Sequence, residues 1–224
     1  MYCSKKEVKW IPWIFPNIVK ELEIKDIILM SHLAASSIKD DKQTKEQIEV
    51  FSQTTKSLQF KKSLVNSGGI FNFSEAHHDI VRPGIAIYGG KYNEFGTKNV
   101  SSLSSQIISI RPVKAGTKIG YDGLWIAEKD CYIGSIPVGY GDGLPYFTNP
   151  ITVKINGKKF KTAGKANMDL VMINLEQDNT IKTGDCVKIW DFDSDLSELS
   201  EEFNTITYNL LANISGRVSK NYLE

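Results

Sequence analysis

The sequence predicts a chain in two parts, a short parallel β/α segment followed by an all-β region. Three observations carry this. Between Ile27 and Tyr88 the apolar runs follow the order strand, helix, strand, connector, strand, which is the grammar of a parallel β/α unit. From Lys91 to Ser105 the chain turns polar and rich in Gly, Asn and Ser, as at a domain boundary. Beyond it, short alternating runs separated by glycine-containing turns continue to about Asp191. These features divide the 224 residues into predicted domains at 1–97 and 98–224.

Taken in order, Ile18 to Leu22 reads as the end of a helix, and Ile27 to Met30 as a buried strand opening into a loop at Ser31-His32-Leu33. Ile48, Phe51, Thr55 and Leu58 share one helical face, with Thr44 as the predicted N-cap. Ser63 to Val65 is the next strand, running into a small-residue loop at Asn66 to Gly69. Phe73 to His78 is a connector, and Ile80 to Tyr88 is a third strand, read as parallel to the second. Three strands are too few to close a barrel. In the second part, strands are predicted at Ser105–Pro112, Asp130–Val138, Ile151–Ile155, Lys159–Thr162, Leu170–Leu175 and Cys186–Trp190. Asn156-Gly157 is a strong hairpin signal. Leu196 to Phe203 and Thr207 to Ile214 read as two helices, capped by Ser197 or Thr205.

Composition narrows the function. Hydrophobic residues make up 41% and charged residues 24%, as in a soluble globular protein. A net charge of +1 provides no global field for nucleic acid or an anionic membrane. Cys3, Cys131 and Cys186 are too scattered for a disulfide framework or a Cys-x-x-Cys site. His32, His77 and His78 lack zinc spacing, so no metal is expected. The run from Trp10 to Phe15 follows Lys5 and Lys6, but Pro12 and Pro16 interrupt it and no small-residue cleavage site follows; a cytoplasmic protein is expected. No apolar run reaches membrane-spanning length.

The candidate chemistry sits at the ends of the early strands. Ser67 with Gly68-Gly69, and Arg82 with Gly84-Ile85, would present a hydroxyl, a guanidinium and backbone N–H groups together, a combination suited to a phosphate. Read as residues alone, the glycines also serve as turn punctuation, and Arg82 could cap a strand or pair with Asp79. Further along come Ile119-Gly-Tyr121-Asp-Gly-Leu-Trp125, the octet Ile136-Pro-Val-Gly-Tyr140-Gly-Asp-Gly143, Ala166-Asn-Met168-Asp169, Thr205-Ile-Thr-Tyr208 and Arg217-Val-Ser-Lys-Asn-Tyr222. Occurring in this order, these segments resemble the C-terminal portion of alanine racemase, a pyridoxal-phosphate enzyme of fold type III. The octet is the most specific of them.

The resemblance implies the last part of a TIM-type (β/α)₈ barrel followed by an all-β C-terminal domain. It implies pyridoxal 5′-phosphate as cofactor, alanine as substrate, interconversion of L- and D-alanine for cell-wall precursors, and a homodimer. By that resemblance Arg82 faces the pyridine nitrogen. A guanidinium holds its proton, so the ring stays a weaker electron sink and racemisation is favoured over side reactions. Ser67, Gly84, Ile85 and Tyr208 match phosphate-binding positions. Tyr121 matches the base on the L-alanine side; a phenol, with a reference value near ~10, needs a neighbouring cation for that task. Tyr140 lines the substrate entrance, the Met168 backbone N–H meets the substrate carboxylate, and Asp169, of the same motif, is a further substrate-binding position. Three departures stand out: Asp122 replaces a glycine, Asn167 a cysteine and Asn209 a glutamate. The family's Schiff-base lysine, in a Val-Lys-Ala-Asn-x-Tyr-Gly context, has no counterpart in these 224 residues, nor does its Gly-Met-x-Arg-Leu-Gly strand. A fragment or split subunit is therefore expected, inactive alone and complemented by an N-terminal piece. The competing readings are a non-catalytic, partner-binding β-domain remnant and another amino-acid racemase of the same fold.

Overall fold

A computed structural model describes residues 17–21, 23 and 26–223, and these divide into two compact units, the first ending at Ile87 and the second starting at Tyr88. The apolar run from Trp10 to Phe15, Lys5, Lys6, Cys3 and the end of the helix expected over Ile18 to Leu22 lie outside the described residues.

The first unit is built on a three-stranded sheet in the order β1 (Ile28–Met30), β2 (Lys61–Asn66), β3 (Ile80–Arg82), with both pairings parallel. Helix α1 (Lys42–Thr55) makes the crossover from β1 to β2 and buries Phe51 beside Leu33, Leu64, Val65 and Phe73. Its cap is Asp41, not Thr44: the Asp41 carboxylate accepts from the Thr44 N–H at 2.7 Å, placing Thr44 in the first turn. Two expected elements change at the strand ends. The segment after β2 forms a short helix, α2 (Ser67–Asn72), because the Asn66 side chain caps it by accepting from the Gly69 N–H. The strand expected to reach Tyr88 stops at Arg82, since Pro83 offers no N–H to a ladder, and residues 84–88 turn instead.

The second unit holds a seven-stranded antiparallel sheet. Its strands are β4 (Leu103–Gln106), β5 (Ser109–Val113), β8 (Cys131–Ile136), β9 (Thr152–Ile155), β10 (Lys158–Thr162), β11 (Val171–Asn174) and β12 (Cys186–Trp190), in the order β4-β12-β9-β10-β11-β8-β5. The two edge strands are consecutive in the chain, so the sheet must curl until its edges meet. The strand expected over Ser105–Pro112 is thus two strands. Ile107 and Ile108 form the corner between them, bonding to Asp185 and Ser135 on opposite edges. The Asn156-Gly157 hairpin joins β9 to β10 as expected, both residues adopting positive φ (49° and 80°). A small ribbon of β6 (Lys118–Ile119) and β7 (Trp125–Ile126), unforeseen from the sequence, carries the Tyr121 turn at its tip.

Helices α3 (Leu196–Glu202) and α4 (Thr207–Ala212) close the core through Leu196, Leu199, Phe203 and Leu210. Phe203 meets Phe147 edge-on at 5.4 Å. The caps differ from expectation. Asp195 accepts from the N–H groups of Ser197 and Glu198, while Thr205 accepts from the Asn209 side chain.

Candidate active site

In the first unit the C-terminal ends of β1, β2 and β3 converge on one guanidinium. Arg82 donates to Ser63 Oγ (2.5 Å), to the Ser31 carbonyl (2.6 Å) and to the Leu64 carbonyl (3.2 Å), and lies 3.5 Å from His32 Nδ1. All three acceptors are neutral. Asp79, the alternative partner, accepts instead from the Lys62 N–H at 2.8 Å. Arg82 therefore keeps its positive charge uncancelled by any carboxylate among the described residues. His32 is held from its other side by Asn66 Nδ2, 3.2 Å from Nε2. Ser63, His32 and Asn66 were not singled out from sequence, because their roles depend on three strand ends lying side by side.

Ser67 and Gly84 are brought together directly. The buried Ser67 hydroxyl accepts from the N–H of Gly84 (2.9 Å) and of Ala86 (3.3 Å). Ile85, between them, buries its side chain, so what it can offer to a ligand is backbone. The Ser67 O–H can still donate while its oxygen accepts these two N–H groups, so the ends of β2 and β3 carry a hydroxyl donor and a guanidinium paired with no carboxylate among the described residues, groups that fit a phosphorylated pyridine.

The second unit has its own cluster. Tyr121, Asp122, Tyr140, Tyr146, Lys165, Ala166 and Asn167 line a depression of about 260 Å³. Tyr121 is 67% exposed on the turn between β6 and β7. Tyr140 packs edge-on against Tyr146 at 6.1 Å. The glycines of the octet are explained by close approach. A Cβ on Gly139 would strike the Asn167 and Met168 carbonyls, and one on Gly143, at φ +102°, would strike Asn213. The octet is thereby laced to the Met168 segment: Tyr140 N–H donates to the Asn167 carbonyl (3.1 Å) and Gly141 N–H to the Met168 carbonyl (2.9 Å).

Asp169, singled out with Met168, has its carboxylate held by Arg217 Nη2 at 2.6 Å, and Arg217 Nε also meets Asp142 at 3.3 Å. These contacts, Asp169 first, hold the guanidinium above the ordinary arginine range. Tyr208 lies on α4 and is 53% exposed. Nearby Tyr92 is buried, which raises its phenol above the usual range, with smaller contributions from Tyr208 and Glu94. Tyr146 and Lys165 are site residues that sequence reasoning missed; neither stands in a motif. Asn167 Oδ1 is buried without a hydrogen-bond partner among the described residues.

The fold of this chain is similar to that of solved alanine racemases. The biosynthetic alanine racemase of Pseudomonas aeruginosa superposes with a TM-score of 0.89 at 29% identity, covering 100% of this chain and 63% of that one. The alanine racemase of Bartonella henselae, solved with covalently bound pyridoxal phosphate, gives 0.85 at 29% identity, covering 98% and 62%. In sequence, alanine racemase of Vibrio vulnificus (strain CMCP6) is 35% identical over 216 residues, 93% of this chain, and that of Aliivibrio salmonicida is 36% identical over 201 residues, 87% of it. The alanine racemase C-terminal domain model matches residues 100–222 and the N-terminal domain model residues 14–92. The chain belongs to the alanine racemase family. It spans 59% of the Vibrio and 56% of the Aliivibrio relative.

Proposed function

We propose that this chain supplies the C-terminal part of a pyridoxal-phosphate-dependent alanine racemase: the closing strands of a (β/α)₈ barrel, within the domain at 1–97, and the β-domain at 98–224. The observation that carries the reading is Arg82, a guanidinium at three strand ends whose hydrogen-bond acceptors are all neutral. No carboxylate among the described residues pairs with it. When bound, pyridoxal phosphate supplies the conjugated electron sink that acidifies an amino acid's α-hydrogen. Arg82 would hold the ring nitrogen without protonating it. Ser67, Gly84 and Ile85 would bind the phosphate, and by the family resemblance Tyr208 is assigned to phosphate binding as well.

Tyr121 is assigned as the base that takes or returns the α-proton of L-alanine. The Met168 N–H is assigned to the substrate carboxylate and Tyr140 to the entrance. Asp169 contributes by holding Arg217, and so the ends of the Tyr140 and Met168 segments. The proton on the opposite face of the α-carbon needs the family's lysine, carried on a barrel segment outside these 224 residues, in the same polypeptide or a second one. Exposure of Tyr121, Tyr140 and Met168 on one unit suits a homodimer in which these groups serve the other copy's cofactor. A cytoplasmic location is part of the same proposal, by the family resemblance. No helix among the described residues is long and apolar enough to cross a membrane.

The test is D-alanine formation from L-alanine and pyridoxal phosphate by the chain alone, and by the chain mixed with the lysine-bearing N-terminal part of the Vibrio vulnificus relative. Activity only in the mixture is expected. Silence in the mixture from a folded chain would overturn the proposal in favour of a non-catalytic, partner-binding domain. Preference for another small amino acid would redirect it to a racemase of different specificity.

A further inference from the structure

The turn that carries Tyr121 is lightly held by its own backbone. It sits between strands of two residues each, and its internal hydrogen bond, from Gly123 N–H to the Gly120 carbonyl, is 3.3 Å long. Gly120, Asp122 and Gly123 all adopt positive φ, at 75°, 59° and 58°. What fixes the turn is its contact with the residues just before Asn167 and Met168. Gly164, itself at φ +79°, lets the backbone of Ile119 and Gly120 approach closely: a Cβ there would lie 3.2 Å from the Ile119 carbonyl oxygen. One residue on, Lys165 extends to an ion pair with Asp122. Lys165 is only 17% exposed along its side chain, and Asp122, with help from Tyr146, holds its ammonium above the ordinary range although burial works against it. Asp122 directly follows Tyr121, and Lys165 directly precedes Ala166-Asn167-Met168. One ion pair therefore ties together the two segments that line the same depression.

We propose that Asp122 and Lys165 form a charge latch that sets the position of the Tyr121 phenol relative to the Met168 segment. Both are positioning residues. The latch is particular to a chain with Asp at 122, since a glycine there offers no carboxylate. Its catalytic meaning rests on the reading of Tyr121 as the L-side base.

The experiment is ¹⁹F NMR of the 224-residue chain labelled with 3-fluorotyrosine, the Tyr121 line being assigned through Tyr121→Phe. Asp122→Asn removes the charge while keeping a residue that tolerates the left-handed conformation, and Lys165→Met keeps the buried stem. Each single variant is expected to shift or broaden the Tyr121 line and leave that of Tyr132, on β8, unchanged. The double variant should match the singles, because a latch cut at one end has nothing more to lose. The urea midpoint should move little, as the Asp122 end of the pair is solvent-exposed and Lys165→Met keeps the packing of the stem. In the complemented enzyme Asp122→Asn is expected to lower kcat about tenfold with little change in KM, as misplacement of a reacting group does. An unchanged Tyr121 line in both singles, or additive effects in the double, overturns the latch even if Tyr121→Phe abolishes racemisation. Full racemase activity in Tyr121→Phe, with the line shifts as expected, overturns the base assignment and leaves the latch standing.

Discussion

Replacing Ser67 with alanine tests the first-unit site at its most local point. The hydroxyl is buried and accepts two backbone N–H groups, from Gly84 at 2.9 Å and Ala86 at 3.3 Å. A net hydrogen bond contributes about 1 kcal/mol at good geometry, and the longer one is assigned about 0.5, so Ser67→Ala should cost roughly 1.5 kcal/mol locally. Amide hydrogen exchange separates the two: protection should fall about fivefold at Gly84 and about twofold at Ala86. Amides on the second-unit sheet, such as Ile155 and Ile173, should be unaffected. Ser67 is also a proposed phosphate ligand, and loss of a hydrogen bond to a charged group, about 1.5 kcal/mol or more, would weaken pyridoxal phosphate binding by about tenfold or more in the complemented enzyme. Unchanged protection at both amides would refute the reasoning, since Ser67 would then not organise the 84–86 turn.

Other expectations concern the second unit. Phe203→Ala empties a buried site against Phe147 and should cost about 3–5 kcal/mol, read from the urea midpoint. Asn156→Ala places a Cβ-bearing, non-amide residue at φ 49° and should cost about 1 kcal/mol by the same measurement. Asp178 is held down to about 2 by its hydrogen bond from Lys158, then by Thr180. Its depressed value means the stabilisation is present above the ordinary carboxylate range and is lost as pH falls through about 2. Carboxyl ¹³C shifts should show that low midpoint, and Lys158→Met should raise it toward the value of a free aspartate.

The sequence was most informative where a local rule decides the outcome. Asn156-Gly157 demands its hairpin because both residues accept positive φ, and the parallel pairing of β2 with β3 followed from the order of elements. It was least informative where a tertiary partner decides. The apolar stretch from Ser105 to Pro112 reads as one strand, and only the curling of a seven-stranded sheet turns Ile107 and Ile108 into a corner. Thr44 and Asp41 are both good caps; the structure chose the residue whose carboxylate reaches back to the N3 amide. At the site, Ser67, Gly84 and Arg82 were visible because small residues and a guanidinium punctuate strand ends. The ligands of Arg82 come from residues 18 to 51 positions away, beyond any spacing rule. Lys165 stood in no motif, and its importance arises from the approach of Gly164 to Ile119 and Gly120.

The assignment of Tyr121 as the L-side base is tested most directly by α-hydrogen exchange in D₂O. Wild-type chain and Tyr121→Phe, each combined with the lysine-bearing segment and pyridoxal phosphate, are given L-alanine or D-alanine separately. The expected result is that Tyr121→Phe slows deuterium uptake into L-alanine by about 10²–10⁴-fold, the usual contribution of a general base, while uptake into D-alanine persists. Equal loss for both enantiomers, or undiminished uptake into L-alanine, would contradict the account.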